Sequence, residues 1–247
     1  MPRRAPEETD VLCEKCGYAL TGLPVDANCP ECGTPIAASI SDDLRRLPEW
    51  ENDAIPKSRL LKFIETTALI IFRPRHFYRS STALGDADSA YHFAQIHWSL
   101  DSLIFGLVIY IHTHAVQGIK YHFSTQFIYR IDALALDILV AYLAVAGTSA
   151  LAARLTAWEA SYRGYRLPLG VVRRALYYHA AHILPVALVA LAVVGEYNHL
   201  QLIGYFPNVF KAQANYLYVL CGGVIVGAAY LFQTYWIGMR NLMYANR

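Results

Sequence analysis

The sequence predicts a mostly α fold: a polytopic helical membrane protein with four transmembrane helices and a membrane-surface helix, behind a small N-terminal module built on cysteines. Three observations carry this. Hydrophobic residues make up 55% of the 247 and charged residues only 16%, where a soluble domain runs nearer about a quarter charged. The charges crowd the N-terminal third and then thin into long apolar runs. Four of the 5 cysteines fall inside one stretch, "CEKCGYALTGLPVDANCPECG".

Residues 1–10 are polar and expected to be disordered. The start "MPRRAPEETD" leads into no apolar stretch, so no secretory signal peptide is expected. Residues 11–38 hold the cysteine module. Residues 39–58, "SISDDLRRLPEWENDAIPKS", are polar, carry two prolines and read as a linker.

Residues 59–79, "RLLKFIETTALIIFRPRHFYR", mix apolar residues with Lys62, Glu65, Arg73 and Arg75. The longest uncharged run, Thr66 to Phe72, falls short of the roughly 20 residues a span needs. The stretch reads as an amphipathic interfacial helix whose basic residues face anionic lipid headgroups. The alternative is an ordinary helix packed on protein. Pro74 should end or kink it, because its ring clashes with the preceding turn.

Residues 96–247 read as a four-helix transmembrane domain with spans at 96–115, 131–153, 176–194 and 216–238. In hydrocarbon the backbone must bond to itself, which leaves helix or closed barrel. Strict period-two alternation is absent, so helices are expected. Pro185 predicts a kink in the third span.

Orientation follows from the basic residues. Arg45, Arg46, Lys57, Arg59, Lys62, Arg73, Arg75 and Arg79 precede the first span. Arg154, Arg163, Arg166, Arg173 and Arg174 lie between the second and third, and Arg240 and Arg247 follow the fourth. The opposite side has Lys120, Arg130 and Lys211. Both termini are therefore expected in the cytoplasm, with the chain multi-pass in the cell (inner) membrane. Trp98, Trp158, Tyr177, Tyr178, Tyr235 and Trp236 should mark the inner interface, and Tyr121, Tyr129, Tyr197 and Tyr216 the outer one.

The cysteines form two hooks, Cys13-x2-Cys16 and Cys29-x2-Cys32. A C-x2-C hook puts two thiolates on one tight turn, so two hooks can converge on one ion. Gly17 and Gly33 follow the hooks and allow the positive φ that aims backbone amides at sulfur. Four thiolates in a tetrahedron suit Zn2+. Iron is the chemical alternative and disulfides the structural one. A cytoplasmic segment keeps its thiols reduced, which disfavours disulfides. A closed four-sulfur shell leaves no position for water or substrate, so one structural ion is expected rather than a catalytic one.

The hooks "CEKCGY" and "CPECGT" resemble the knuckles of the zinc-ribbon family over residues 11–38. The resemblance implies a small three-stranded ribbon with Cys13, Cys16, Cys29 and Cys32 as ligands. Rubredoxin knuckles hold iron but enclose a longer insert, so the short spacer favours zinc. Such a ribbon is expected to bind a protein partner or another copy of the chain. The net charge of +2, with Lys15 the sole basic residue between Val11 and Ala38, argues against nucleic acid as a partner.

"IIFRPRHFYRS" and "LPLGVVRRALYYHAAHILPVAL", with Tyr178, Ala180 and Pro185, are similar to the Pro-x-x-Phe-Phe lead-in and the Tyr-Ala…Pro helix of bacterial Yip1-like membrane domains. That resemblance covers residues 60–247. It implies a membrane scaffold or trafficking factor, in a family that has five spanning segments and no catalytic residues.

Ionisable groups inside spans are functional candidates. Asp101 and Asp137 stand out for transport or proton relay, with Asp137 the stronger. His112 and His114 fall near the outer end of their span. His179 and His182 share a face near an interface, or are satisfied between helices. Asp132 suits a helix start. Gly223-x-x-x-Gly227 is a helix-packing motif, with Ala146, Gly147 and Ala150 as intramolecular partners. Cys221 should be a buried small apolar residue. The chain has no G-x-x-x-x-G-K-[ST], G-x-S-x-G or H-E-x-x-H motif. A non-enzymatic membrane scaffold is expected; the alternative is a small transporter or channel using Asp101 and Asp137.

Overall fold

The computed structural model describes residues 11–41, 45–83, 85–120, 131–165, 167–205 and 208–246. The expected tail at 1–10, together with Tyr121, Tyr129, Arg130, Arg166 and Arg247, lies outside the described residues, as do the side chains of His114 and Lys120. The elements are α1 (Ala37–Ile40), α2 (Arg59–Phe72), α3 (Pro74–Ser80), α4 (Ala87–Lys120), α5 (Ile131–Arg163), α6 (Leu169–His179), α7 (Ile183–Leu202) and α8 (Val209–Leu242). A 3-10 turn, Ala180–His182, joins α6 to α7.

The protein is mostly helical. Four helical stretches are long and apolar enough to cross a membrane: Ala87–Thr113, Asp132–Arg163, Leu169–Gln201 and Lys211–Leu242. Leu136, Leu139, Val140, Leu143, Leu151 and Leu155 of α5 are all exposed, as are Val224, Ile225 and Val226 of α8. Water would penalise such surfaces and lipid does not. Four apolar helices fit a multi-pass membrane protein.

The prolines act where chain geometry demands. Phe72 ends α2, Arg73 breaks out at φ −137° and ψ 54°, and Pro74 opens α3 in its first turn. Pro185 lacks the N–H that would reach Ala181, and the helix tightens there to the 3-10 turn. The Ser58 hydroxyl caps α2 by accepting from the Leu61 amide at 3.3 Å.

The chain divides into two compact units. The first comprises Met1–Ala94, Ser149–Ala181 and Thr234–Arg247. Its core gathers Trp50, Ile70, Phe77, Tyr78, Phe93, Val172, Tyr178 and Leu242. The segment read as a linker is part of this core. Trp50 is buried and donates from Nε1 to the Ser89 carbonyl at 2.7 Å. The Glu51 carboxylate accepts from Arg174 at 2.7 and 2.8 Å and from the Tyr178 hydroxyl. The Glu51 and Arg174 side chains are 1% and 6% exposed, so each charge is neutralised by the other rather than by water.

The amphipathic pattern of α2 runs opposite to a soluble surface helix. Lys62, Thr66, Thr67 and Ile70 are buried, while Leu60, Leu61, Ile64 and Phe72 are exposed. Lys62 does not face outward as expected; its Nζ donates to the Asn52 carbonyl at 2.8 Å. Arg73, Arg75 and Arg79 are exposed.

The second unit comprises Gln95–Thr148 and His182–Gln233. There Tyr197 stacks on Tyr216, with centroids 3.8 Å apart and planes 10° from parallel. These two, expected as an outer belt, are buried. Trp98 and Tyr178, expected at the inner interface, are buried too, while Trp158 and Trp236 are exposed. An aromatic near a span end packs inward where a neighbouring helix offers a face.

Gly227 is buried, and a β-carbon there would lie 3.0 Å from Val186 of α7. Gly223 and Gly147 have open space. Gly227 thus approaches α7, where α5 was the expected neighbour. Gly106 makes a close approach that spacing did not reveal: a β-carbon there would lie 2.8 Å from the Ile138 backbone of α5. Cys221 is exposed on α8 rather than buried.

Candidate metal centre

Each hook is closed by its own backbone bonds, and the two sets match. In the first, the Cys13 amide donates to the Tyr18 carbonyl at 2.8 Å and the Gly17 amide to the Cys13 carbonyl at 2.8 Å. In the second, Cys29 donates to Thr34 at 2.8 Å and Gly33 to Cys29 at 2.9 Å. Gly17 and Gly33 hold φ of 76° and 69°, the left-handed region that favours glycine. Single antiparallel bridges, Leu12 with Ala19 and Asn28 with Pro35, seal the hooks. No strand forms in this segment, so the implied three-stranded ribbon is reduced to two bridges and the one-turn α1. The extended stretches beside each hook are too short to build a ladder.

Leu20 and Ile36 occupy equivalent places after the hooks and are buried with Cys13 and Cys29 in a small core. The four Sγ atoms lie within 4.8 Å of one another. Cys13 and Cys32 are 3.6 Å apart at sulfur, and so are Cys16 and Cys29. A tetrahedral ion with metal–sulfur bonds of about 2.3 Å spaces its sulfurs by about 3.8 Å, whereas a disulfide brings them to about 2.0 Å. All four cysteines are free thiols. Both of these pairs join one hook to the other, so an ion here would clamp the two hooks together. The donor set and spacing fit a metal ion.

The thiols differ in their surroundings. The Cys32 Sγ lies 3.3 Å from the Thr34 hydroxyl, and that hydroxyl with the Thr34 amide pulls the Cys32 thiol down to about 6. Burial pushes Cys16 above the ordinary thiol range.

The module is not alone on its face. Asn246 donates from Nδ2 to the Leu12 carbonyl at 2.8 Å and the Ser39 carbonyl at 2.7 Å, and its Oδ1 accepts from the Leu12 amide at 2.8 Å. Arg45 donates to both Glu14 carboxylate oxygens at 2.9 and 3.2 Å. It also donates to the Tyr78, Ser81 and Asn241 carbonyls at 3.2, 2.9 and 2.9 Å. Asn246, Tyr244 and Glu14 escaped sequence reasoning, and Arg45 entered it only as one of the basic residues before the first span. The one signal for Tyr244 and Asn246 is the polar end "YANR" after a long apolar helix, which names no partner.

The other expected residues fall elsewhere. Asp101 is fully buried, and neither carboxylate oxygen has a hydrogen-bond partner among the described residues. His97, one turn earlier, is also buried. Asp137 is half-buried and Asp132 exposed, so burial favours Asp101 over Asp137, the reverse of the sequence ranking. The histidines near the span ends have helix partners. His112 meets the Tyr216 hydroxyl at 2.8 Å, His179 the Thr234 hydroxyl at 3.0 Å, and His182 the Tyr230 hydroxyl at 2.9 Å.

Comparison with family models, curated proteins and solved structures returns no match for this chain.

Proposed function

We propose that the protein is a non-enzymatic integral membrane scaffold whose cytoplasmic cysteine module holds one structural zinc ion and docks a protein partner or a second copy. The observation that carries this is the closed shell of Cys13, Cys16, Cys29 and Cys32, with sulfurs within 4.8 Å and two hooks of matching backbone. Four protein sulfurs complete a tetrahedron and leave no reactive position, which supports a structural role. Zinc is favoured over iron by the knuckle form and short spacer. A metal supplies what roughly 30 residues lack, a core large enough to fold on their own. The short Yip1-like motifs point to the same scaffold class, in the cell (inner) membrane with both termini cytoplasmic.

Metal analysis of the chain purified under reducing conditions tests the centre. One zinc per chain is expected, and a metal-free preparation sinks the reading. Cross-linking pull-downs with and without residues 1–40 test the docking role, and an unchanged set of partners removes it.

Asp101 favours a second reading, a small transporter or channel using Asp101 and Asp137. A carboxylate buried in a span with neither oxygen bonded is the sort of group that binds a proton or cation. In proteoliposomes, Asp101→Asn and Asp137→Asn would abolish proton-dependent flux. A parent chain that shows no flux eliminates this reading.

A further inference from the structure

The hooks share a backbone but are covered differently. A β-carbon on Gly17 would lie 2.4–2.8 Å from the Tyr244 ring, whereas one on Gly33 would meet nothing within 4 Å. Leu12, just before Cys13, has its amide and carbonyl both bonded by the Asn246 side chain. Asn28, its equivalent before Cys29, is exposed. Glu14 inside the first hook accepts from Arg45, which also grips the Asn241 carbonyl near the end of α8. Pro30 and Glu31 inside the second hook are exposed. Three independent attachments therefore tie the first hook to one segment, residues 241–246, and none of them involves the second.

We infer that the first hook is a binding site for the chain's own C-terminal segment, residues 241–246, and that metal held by the four cysteines keeps this site in shape. The second clause rests on the metal reading above. Asn246 reads the backbone groups of Leu12, and Tyr244 fills the gap that Gly17 leaves, so both contacts depend on the path of the hook. That path is set where Cys13 and Cys16 meet Cys32 and Cys29 at sulfur. Without an ion, the small core of Leu20, Ile36 and the cysteines is left to hold the hook by itself. Linkage is reciprocal: if the metal strengthens the tail contact, the tail contact strengthens metal binding by the same factor.

The test uses the full chain in detergent and reads hydrogen exchange at residues 241–246 alongside zinc content. Cys29→Ser alters only the uncovered hook, yet it should release zinc and speed tail exchange by about tenfold, the loss of roughly one net hydrogen-bond contribution. Treating the parent with a chelator should do the same without a substitution, which guards against a variant that fails to fold. Asn246→Ala should keep one zinc per chain but surrender it at several-fold lower chelator concentration. Zinc loss with unchanged tail exchange overturns the coupling, and so does Asn246→Ala with parental zinc retention. A metal-free parent overturns the coupling together with the metal reading. In that case faster tail exchange in Asn246→Ala still establishes the tail contact, and parental exchange removes it.

Discussion

The hook at Cys13 and the hook at Cys29 repeat the same turn, the same glycine and the same bridge, yet Gly17 of one lies against Tyr244 while a β-carbon on Gly33 of the other would meet nothing within 4 Å among the described residues. The difference teaches that spacing sets the donor set of a candidate metal module and packing sets what lies against it. Two equal hooks supply two thiols each to one site. In the second, Pro30, Gly33 and the spacer residue Val25 are exposed.

The equivalence of the hooks at the metal should give the largest effects. Cys16→Ser and Cys32→Ser should each abolish stoichiometric metal binding, because structural zinc sites contribute on the order of 10 kcal/mol and a three-sulfur shell is open. Metal retained by either variant under chelator breaks the equivalence.

Next comes the charge pair that anchors the first hook alone. The Arg45 side chain is 4% exposed and Glu14 17%. Arg45→Met should lower stability by about 3 kcal/mol, since it strands a mostly buried carboxylate. Thermal unfolding in detergent checks this, and Glu14→Gln combined with Arg45→Met should recover part of the loss.

Smaller effects separate the glycines. Gly33→Ala should cost about 1–2 kcal/mol, the strain of a positive φ. Gly17→Ala carries that strain plus a clash with Tyr244 and should cost more by about 1–3 kcal/mol. Tyr244→Ala should relieve the excess at Gly17 and leave Gly33→Ala unchanged; equal costs at the two glycines would dissolve the asymmetry. Of the same size as Gly33→Ala is Asn246→Asp, which keeps the acceptor for Leu12 and loses the donors to Leu12 and Ser39. It should cost about 1–2 kcal/mol on the same assay.

Much of this architecture was legible because its causes are local. The C-x2-C spacing alone brings two thiols together. Long apolar runs declare helices that lipid can solvate. Pro74 and Pro185 act on their own turns. The linker reading failed at Trp50 and Glu51, because a polar composition hides one aromatic and one acid whose partners, Ser89, Arg174 and Tyr178, come from elsewhere in the chain. The aromatic belts failed in part for the same reason. Trp98, Tyr197 and Tyr216 have the composition of interface residues, but helix neighbours bury them. Gly227 of the α8 motif lies near Val186 of α7, a neighbour the motif does not name.

By itself the sequence determined the four-thiol cluster that could hold a metal ion, the apolar helices and the points where helices break, since each depends on short-range spacing along the chain. Tertiary structure alone decided that Asn246 closes on Leu12, that Glu51 is neutralised by Arg174 and that Asp101 is the more buried acid. Those outcomes join residues far apart in the chain, and only the packing of helices brings such groups within reach of a hydrogen bond or out of reach of any partner.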